Sequence, residues 1–246
     1  MIEIKSVSHD FDGRPVLRGV DLRLTEKRIA IIGANGSGKT TLARMLNGLV
    51  LPRQGEVLVE GISTARHVAK VRRLVGFIFQ NPEHQIVMPT VEEDIAFGLH
   101  NMNLPKAEIA ARVDAILEAH RFAGKRAAPA YLLSGGEQKL LSLISVLVME
   151  PRYIIFDEPL NSLDLAARRR FARLMHALPQ TAITITHDFE LIADYDRALL
   201  IHEGRVAADG APREVIARYV ALVDAIVEPA GKAPDMAAIQ TLGPKP

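Results

Sequence analysis

A glycine-rich segment that begins at residue 33 carries the residue types and the spacing that bind a nucleoside triphosphate. The segment Gly33-Ala34-Asn35-Gly36-Ser37-Gly38-Lys39-Thr40 fits the pattern G-x-x-x-x-G-K-S/T at every fixed position. Its glycines let the backbone curl, so that successive N–H groups can point at phosphate oxygens. We expect Lys39 to reach the β- and γ-phosphates and the Thr40 hydroxyl to hold Mg²⁺. A glycine-rich turn without a ligand is the alternative.

The segments on both sides of this loop agree with the first interpretation. The apolar run Ile29-Ala30-Ile31-Ile32 predicts a buried strand, and residues 41–46 predict a helix. The positive end of the helix dipole would then lie near Lys39, where it favours an anion. The order strand, loop, helix is the one that a phosphate-binding loop needs.

Two adjacent acids, Asp157 and Glu158, follow a second apolar run at residues 153–156. A buried strand that ends in carboxylates places them where α/β sheets hold their ligands. One acid can hold Mg²⁺, directly or through water, and the next can polarise a water molecule. A solvated loop or a helix N-terminus is the alternative, and the loop at Gly33 makes it the weaker one.

A third segment, Ser134-Gly135-Gly136-Glu137, opens an apolar helix predicted at residues 135–149. Serine followed by two glycines at a helix start can bind an anion, or it can simply cap the helix. The chain therefore contains one nucleotide-binding loop and a second turn that is suited to phosphate.

Composition limits the function classes. The 246 residues carry a net charge of +1, which excludes the global basic field of many nucleic-acid-binding proteins, and we expect no nucleic-acid partner. The absence of cysteine excludes disulfides and thiolate metal sites. No apolar run approaches the ~20 residues of a membrane span, so we expect a soluble chain that reaches a membrane only through a partner.

Strands alternate with helices from residue 28 to about residue 187, which predicts an α/β fold with a largely parallel sheet. The segment 9–13 reads as a turn between strands at 2–7 and 16–24, and Glu203-Gly204 reads as the turn of a hairpin. The triple Arg168-Arg169-Arg170 is expected on the solvated face of a helix. The further elements predicted are strands at 55–60, 75–79 and 182–186 and an amphipathic helix at 106–120. From residue 228 onward proline and glycine predict a flexible C-terminal tail, 228–246.

These segments together resemble the ATPase subunits of ATP-binding-cassette transporters over about residues 1–220. The features that carry the resemblance are the phosphate loop, Gln80, Leu133-Ser134-Gly135-Gly136, Asp157-Glu158, Asn161-Ser162-Leu163-Asp164 and His187. The resemblance implies a P-loop NTPase fold with a mainly parallel sheet core and an N-terminal antiparallel β subdomain. It also implies a helical subdomain at about 81–150 that carries the serine–glycine signature, all within one domain at 1–227.

The resemblance assigns roles to individual residues. Glu158 would be the general base, and Gln80 and His187 would be further catalytic groups, with His187 on the γ-phosphate. Phe11 would stack on adenine, although a core residue near a turn is the alternative. The Mg²⁺ ligands would be Thr40, Gln80 and Asp157. The nucleotide-binding set would also include Thr41, and Ser134, Gly135, Gly136 and Glu137 would close on the ATP of a second subunit in a head-to-tail dimer.

The segment 79–98 resembles the ATPases of energy-coupling-factor importers, which act with a transmembrane coupling protein and a small substrate-binding membrane protein. This implies an ATPase on the cytoplasmic side of the inner membrane that powers biotin uptake, with cobalt or nickel import as the alternative. Glu92, Glu93 and Asp94 would stabilise a helix N-terminus or receive arginines from a coupling helix. Glu137 and Leu140 depart from the usual signature, which has glutamine and a basic residue there. A soluble cassette ATPase of iron–sulfur assembly and a binding module without hydrolysis are the rivals of other classes.

Overall fold

The computed structural model of this protein describes residues 1–227, and the predicted tail at 228–246 lies outside the described residues. The strands are β1 Ile2–Phe11, β2 Arg14–Leu24, β3 Arg28–Ile32, β4 Gln54–Val59, β5 Ile62–Ser63, β6 Val75–Ile78, β7 Tyr153–Asp157, β8 Thr181–Ile185, β9 Arg197–His202 and β10 Arg205–Gly210. The α-helices are α1 Lys39–Leu46, α2 Val68–Leu74, α3 Val91–His100, α4 Lys106–Ala119, α5 Gly135–Leu147, α6 Leu165–Ala177, α7 Phe189–Ile192 and α8 Pro212–Val227.

The larger sheet has six strands in the order β10-β9-β3-β8-β7-β6. Its strands pair in parallel except for the antiparallel hairpin of β9 and β10. Strands β3, β7 and β8 are buried along almost their whole length and are mainly apolar, because helices and a second sheet cover both faces. The carboxyl ends of β3, β6, β7 and β8 therefore lie side by side, which brings the segments that follow them together. The predicted parallel core is confirmed.

The smaller sheet is antiparallel, in the order β2-β1-β4-β5, as the resemblance implied. The prediction of a turn over residues 9–13 is wrong, because β1 continues to Phe11, which pairs with Arg14. Only Asp12 and Gly13 form the turn, both with positive φ (50° and 77°), as a two-residue turn that matches strand twist requires. The predicted hairpin at Glu203-Gly204 has the same geometry, with φ of 47° and 77°.

Three apolar clusters hold these layers together. One lies between the antiparallel sheet, α1 and one face of the larger sheet, and a second lies between the opposite face and helices α6 and α8. The third belongs to α3, α4 and α5 and is separate from both sheets. Within residues 1–227, no helix is long and apolar enough to cross a membrane.

Candidate active site

The glycine-rich loop connects β3 to α1 with a backbone that only glycine tolerates at two points. Gly33 has φ of 143°, and a Cβ there would lie 2.1 Å from the carbonyl oxygen of Ile201. Gly38 has φ of 107°, and a Cβ there would lie 2.8 Å from the carbonyl oxygen of Val16. The loop is therefore fixed against β9 and β2, and α1 begins at Lys39 directly after it.

The side chain of Lys39 is buried and folds back over this loop. Its Nζ donates to the carbonyl oxygens of Gly33 (2.7 Å) and Ala34 (2.9 Å). Burial lowers the pKa of Lys39, while the negative charges of Glu158 and Asp157 oppose that shift. A buried ammonium held at the mouth of a curled backbone is suited to a polyanionic ligand such as a triphosphate.

Two of the predicted metal ligands are adjacent. The Thr40 hydroxyl donates to Asp157 Oδ1 at 3.2 Å, because α1 starts beside the end of β7. Burial raises the pKa of Asp157 despite this hydrogen bond. Hydroxyl and carboxylate oxygens fit a hard cation such as Mg²⁺. No group of three or more His, Cys, Asp or Glu side chains that could hold a metal occurs in the part of the chain that the structure describes.

Glu158 sits directly after β7 in a left-handed backbone conformation, with φ of 48°. Its N–H donates to the carbonyl oxygen of Ile185 (2.9 Å), which anchors it at the end of the neighbouring strand β8. Its carboxylate lies 3.4 Å from His187 Nε2. The same nitrogen is 3.2 Å from Asn35 Oδ1, so His187 bridges the general-base candidate and the phosphate loop.

Burial shifts the pKa values of this pair in opposite directions. It raises the pKa of the Glu158 carboxyl, and the N–H of His187 and the charge of Lys39 only partly oppose it. Burial, together with the positive charge of Lys39, lowers the pKa of His187. Both shifts favour neutral side chains, and a carboxyl with a raised pKa is better matched to proton abstraction near neutral pH.

All of these groups open into one cleft of about 570 Å³. The predicted residues that line it are Phe11, Asn35, Gly36, Gly38, Lys39, Thr40, Thr41, Gln80, Asp157, Glu158 and His187. Phe11 is 50% exposed at its edge, so it is not the core residue that was the alternative. Of the remaining loop residues, Gly33 and Ala34 accept hydrogen bonds from Lys39 through their carbonyl oxygens. The Ser37 hydroxyl is buried without a hydrogen-bond partner.

Four residues near the cleft were not predicted as site residues. Val16, Asn161 and Ile185 line it, and Lys139 on α5 donates to the backbone carbonyl of Gln80. Asn161 was noted only as part of a motif, and Val16 and Ile185 look like ordinary strand residues. Lys139 carried a usable signal, because a single lysine in an apolar helix is costly to bury unless it has a partner.

The serine–glycine signature lies on a different surface of the same chain. Ser134 caps α5 in a capping box, in which its hydroxyl accepts from the N–H of Glu137 and its own N–H donates to the Glu137 carboxylate. Glu137 also pairs with Lys125. Gly135 has open space where a side chain would be. None of residues 134–137 lines the cleft that contains Lys39, so one chain does not bring the two halves of the predicted site together.

The three acids at the start of α3 are engaged within the chain. Glu93 forms the capping box of α3 with Thr90, and Glu92 pairs with Arg126. Asp94 is only 5% exposed and accepts from two backbone N–H groups and from Ser145. The expectation that this acidic trio receives a partner's arginines is not supported for Asp94, because burial closes it to a partner. Of the three acids, Glu93 stabilises the start of α3, while Asp94 holds the preceding loop and Ser145.

Comparison with known sequences places the chain among transport proteins. Residues 17–161 match the family described as ABC transporter. The biotin transport ATP-binding protein of Rhizobium etli is 49% identical over 221 residues, which cover 89% of this chain and 97% of that protein. The cobalt import ATP-binding protein of Syntrophus aciditrophicus is 45% identical over 228 residues, which cover 89% of this chain and 81% of that protein.

Comparison with solved structures confirms the predicted fold. The structure of cbiO1 from Clostridium perfringens, part of the ABC transporter complex cbiONQ, has a TM-score of 0.77 and 29% identity and covers 98% of each chain. A dimeric ATP-binding cassette solved with ADP and phosphate has a TM-score of 0.74 and 25% identity, over 87% of this chain and 99% of that one.

Proposed function

Because the chain belongs to the ABC transporter family, we propose that it is the ATP-hydrolysing subunit of an energy-coupling-factor importer whose cargo is biotin. That it is an ATPase follows from the family. The observation that carries the proposed mechanism is the convergence of Lys39, Thr40, Asp157, Glu158 and His187 in one cleft. The five groups come from the carboxyl ends of three neighbouring strands, β3, β7 and β8, or from the segments that follow them, so the fold places them together.

The residues divide the work of hydrolysis. The curled N–H groups of the loop and the Lys39 ammonium bind and orient the phosphates. Glu158 accepts a proton from the attacking water, and Gln80 orients that water. His187 donates a hydrogen bond towards the γ-phosphate. The half-exposed ring of Phe11 offers a face for the adenine base.

Mg²⁺ would be held by Thr40 and Asp157, with Gln80 at the same cleft. When bound, it would neutralise developing charge on the phosphate oxygens. Asp157 stays close to Thr40 because α1 starts beside the end of β7. Its raised pKa reflects a burial cost that a cation would relieve.

The signature turn would act on the ATP of a second copy. Gly135 has open space beside it, and the turn lies away from the cleft of its own chain. A head-to-tail dimer would bring Ser134 of one copy to the triphosphate of the other, with Asp164 coupling the two sites. Loss of the γ-phosphate would then release the dimer and move an attached coupling protein. The dimeric cassette with ADP and phosphate supports this arrangement.

Biotin is proposed over cobalt or nickel because the biotin transport protein of Rhizobium etli is 49% identical and is matched over 97% of its length, whereas the cobalt import protein is 45% identical over 81% of its length. Substrate choice would belong to a separate small membrane protein, and the ATPase would sit on the cytoplasmic side of the inner membrane against a transmembrane coupling protein. The relatives named above are transport proteins, which disfavours the iron–sulfur rival.

Uptake measurements test this proposal. A strain that lacks the gene for this chain would be complemented with the wild type or with Glu158→Gln. Labelled biotin uptake should return only with the wild type, and labelled cobalt and nickel uptake should be unaffected by either. The tagged chain should also purify from detergent extracts with two membrane proteins.

Recovery of cobalt or nickel uptake would overturn the biotin assignment but not the importer. Isolation of the chain only in soluble complexes would overturn the importer itself.

A further inference from the structure

Lys139 is only 2% exposed and lies at the start of the second turn of the signature helix α5. A buried ammonium is costly without partners. Burial lowers the pKa of Lys139 to about 8, and the charges of Asp157 and Glu158 are what oppose that shift.

A hydrogen bond from Lys139 holds the loop that contains Gln80. The Nζ of Lys139 donates to the backbone carbonyl of Gln80, in the loop after β6. A second side chain ties the same loop to the same helix. Gln85 accepts from the N–H of Phe79 (3.1 Å) and donates to the carbonyl of Ser142 (2.7 Å). The loop that presents Gln80 is thus fastened at two points to α5.

Helix α5 begins at the Ser134 cap, one turn before Lys139. Helices move as rigid units, so a displacement of the cap displaces Lys139 and the loop that it holds. Lys139 also lines a small cleft with Gln80, Gly135 and Asn161, which joins the signature to the loop of Gln80.

We propose that Lys139 is a positioning residue that sets the place of Gln80 in the hydrolytic cleft according to the position of the signature helix. When a second copy's ATP engages Ser134, α5 would carry the Gln80 loop with it, so that each cleft reports on the occupancy of the other. This inference rests on the proposed function, because it needs the signature to contact ATP in trans.

The test replaces Lys139 by Met, which fits a buried site but cannot donate. The kcat for ATP should fall on the order of 100-fold, as misplacement of a catalytic group does, while KM changes less than about twofold. Lys139→Arg should recover much of the loss, since it keeps a donor and a charge. Gln85→Leu should lower kcat in the same direction. The exposed lysine in α2, changed as Lys70→Met, is the matched control and should behave as the wild type.

A second readout uses the absence of tryptophan from the sequence. Glu83→Trp places a single fluorophore on the exposed part of the Gln80 loop. In the Glu158→Gln background its emission should change on adding ATP and should stay unchanged when Lys139→Met is added, although the dimer still forms.

Unchanged kcat in Lys139→Met, or a loss confined to KM, would overturn the positioning role. A Trp signal that survives the Met substitution would overturn it as well. If the wild type bound no ATP or hydrolysed none, the proposed function would fail instead, so the two failures are distinguishable.

Discussion

The phosphate cleft and the signature turn differ in how far one chain satisfies them. In the cleft, burial shifts the pKa values of Lys39, Asp157, Glu158 and His187 towards neutral forms. The charged forms of these side chains are therefore costly until a ligand compensates them. In the signature turn, Lys125 and the N–H of Ser134 hold the pKa of Glu137 below its ordinary value. The phosphate cleft is thus arranged for a ligand, and its buried charges carry an electrostatic cost in the absence of one. The polar groups of the signature turn already have partners within the chain, and the turn offers only the open surface at Gly135.

This contrast has a physical reason. A triphosphate and its cation bring charges that can compensate buried side chains. The charges of those side chains can therefore stay uncompensated until the ligand binds. In the proposed dimer the signature turn would meet ATP only when a second copy arrives, so it must be stable alone, and the capping box gives that stability.

The largest expected effect comes from removing Glu158, the proposed general base in the cleft. Glu158→Gln should lower kcat on the order of 1,000-fold, because general base catalysis contributes about that much. ATP affinity should change little, and the ATP-bound dimer should accumulate, as seen by size-exclusion chromatography. Turnover at the parent rate would show that Glu158 is not the base.

The next effect concerns binding in the same region. Lys39→Ala removes a buried donor to the phosphates, and ATP affinity should fall roughly 10- to 100-fold by the usual value of a charged hydrogen bond. Titration calorimetry with a non-hydrolysable analogue measures it. Unchanged affinity would contradict the assignment of the phosphate loop.

A matched pair of caps sharpens the comparison itself. Ser134 and Thr90 both form capping boxes, on α5 and α3, so Ser134→Ala and Thr90→Ala should each cost about 1 kcal/mol of stability. Only Ser134→Ala should also weaken ATP-induced dimerisation and lower kcat. Equal behaviour of the two variants in dimerisation would confine Ser134 to a capping role.

The smallest effect is on stability and pH. Since folding raises the pKa of Glu158, its contribution is favourable below the ordinary carboxyl pKa near 4.5 and is lost as pH rises through the folded value. Glu158→Gln should therefore raise the melting temperature of the nucleotide-free protein slightly at pH 7.5. That gain should vanish towards pH 4.5. A gain that is independent of pH would show that charge is not its source.

Several features could be predicted from the sequence because their causes are local. The order of β3, glycine loop and α1 follows from a short contiguous pattern, and the turn at Glu203-Gly204 follows from its own backbone preference. The turn predicted at residues 9–13 was too long because the ladder between β1 and β2 continues to Phe11 and Arg14. Helix α8 at residues 212–227 is not among the elements predicted from the sequence.

Other features depend on packing and were not predictable. The acids 92–94 look like an exposed cluster, but the fold buries Asp94 against Ser145 and pairs Glu92 with Arg126. The sequence does not show which group pairs with Lys139, because its partner, the backbone carbonyl of Gln80, lies far from it along the chain.

The sequence by itself determined which residues are candidates for the chemistry and which local backbone each requires, because glycine loops, helix caps and strand ends are specified over a few neighbouring positions. Only the tertiary structure decided how those groups meet. Parallel pairing of β3, β6, β7 and β8 joins Lys39, Gln80, Glu158 and His187 in one cleft and leaves Ser134 on another face. Distances between distant segments depend on how buried surfaces pack, which no local pattern records.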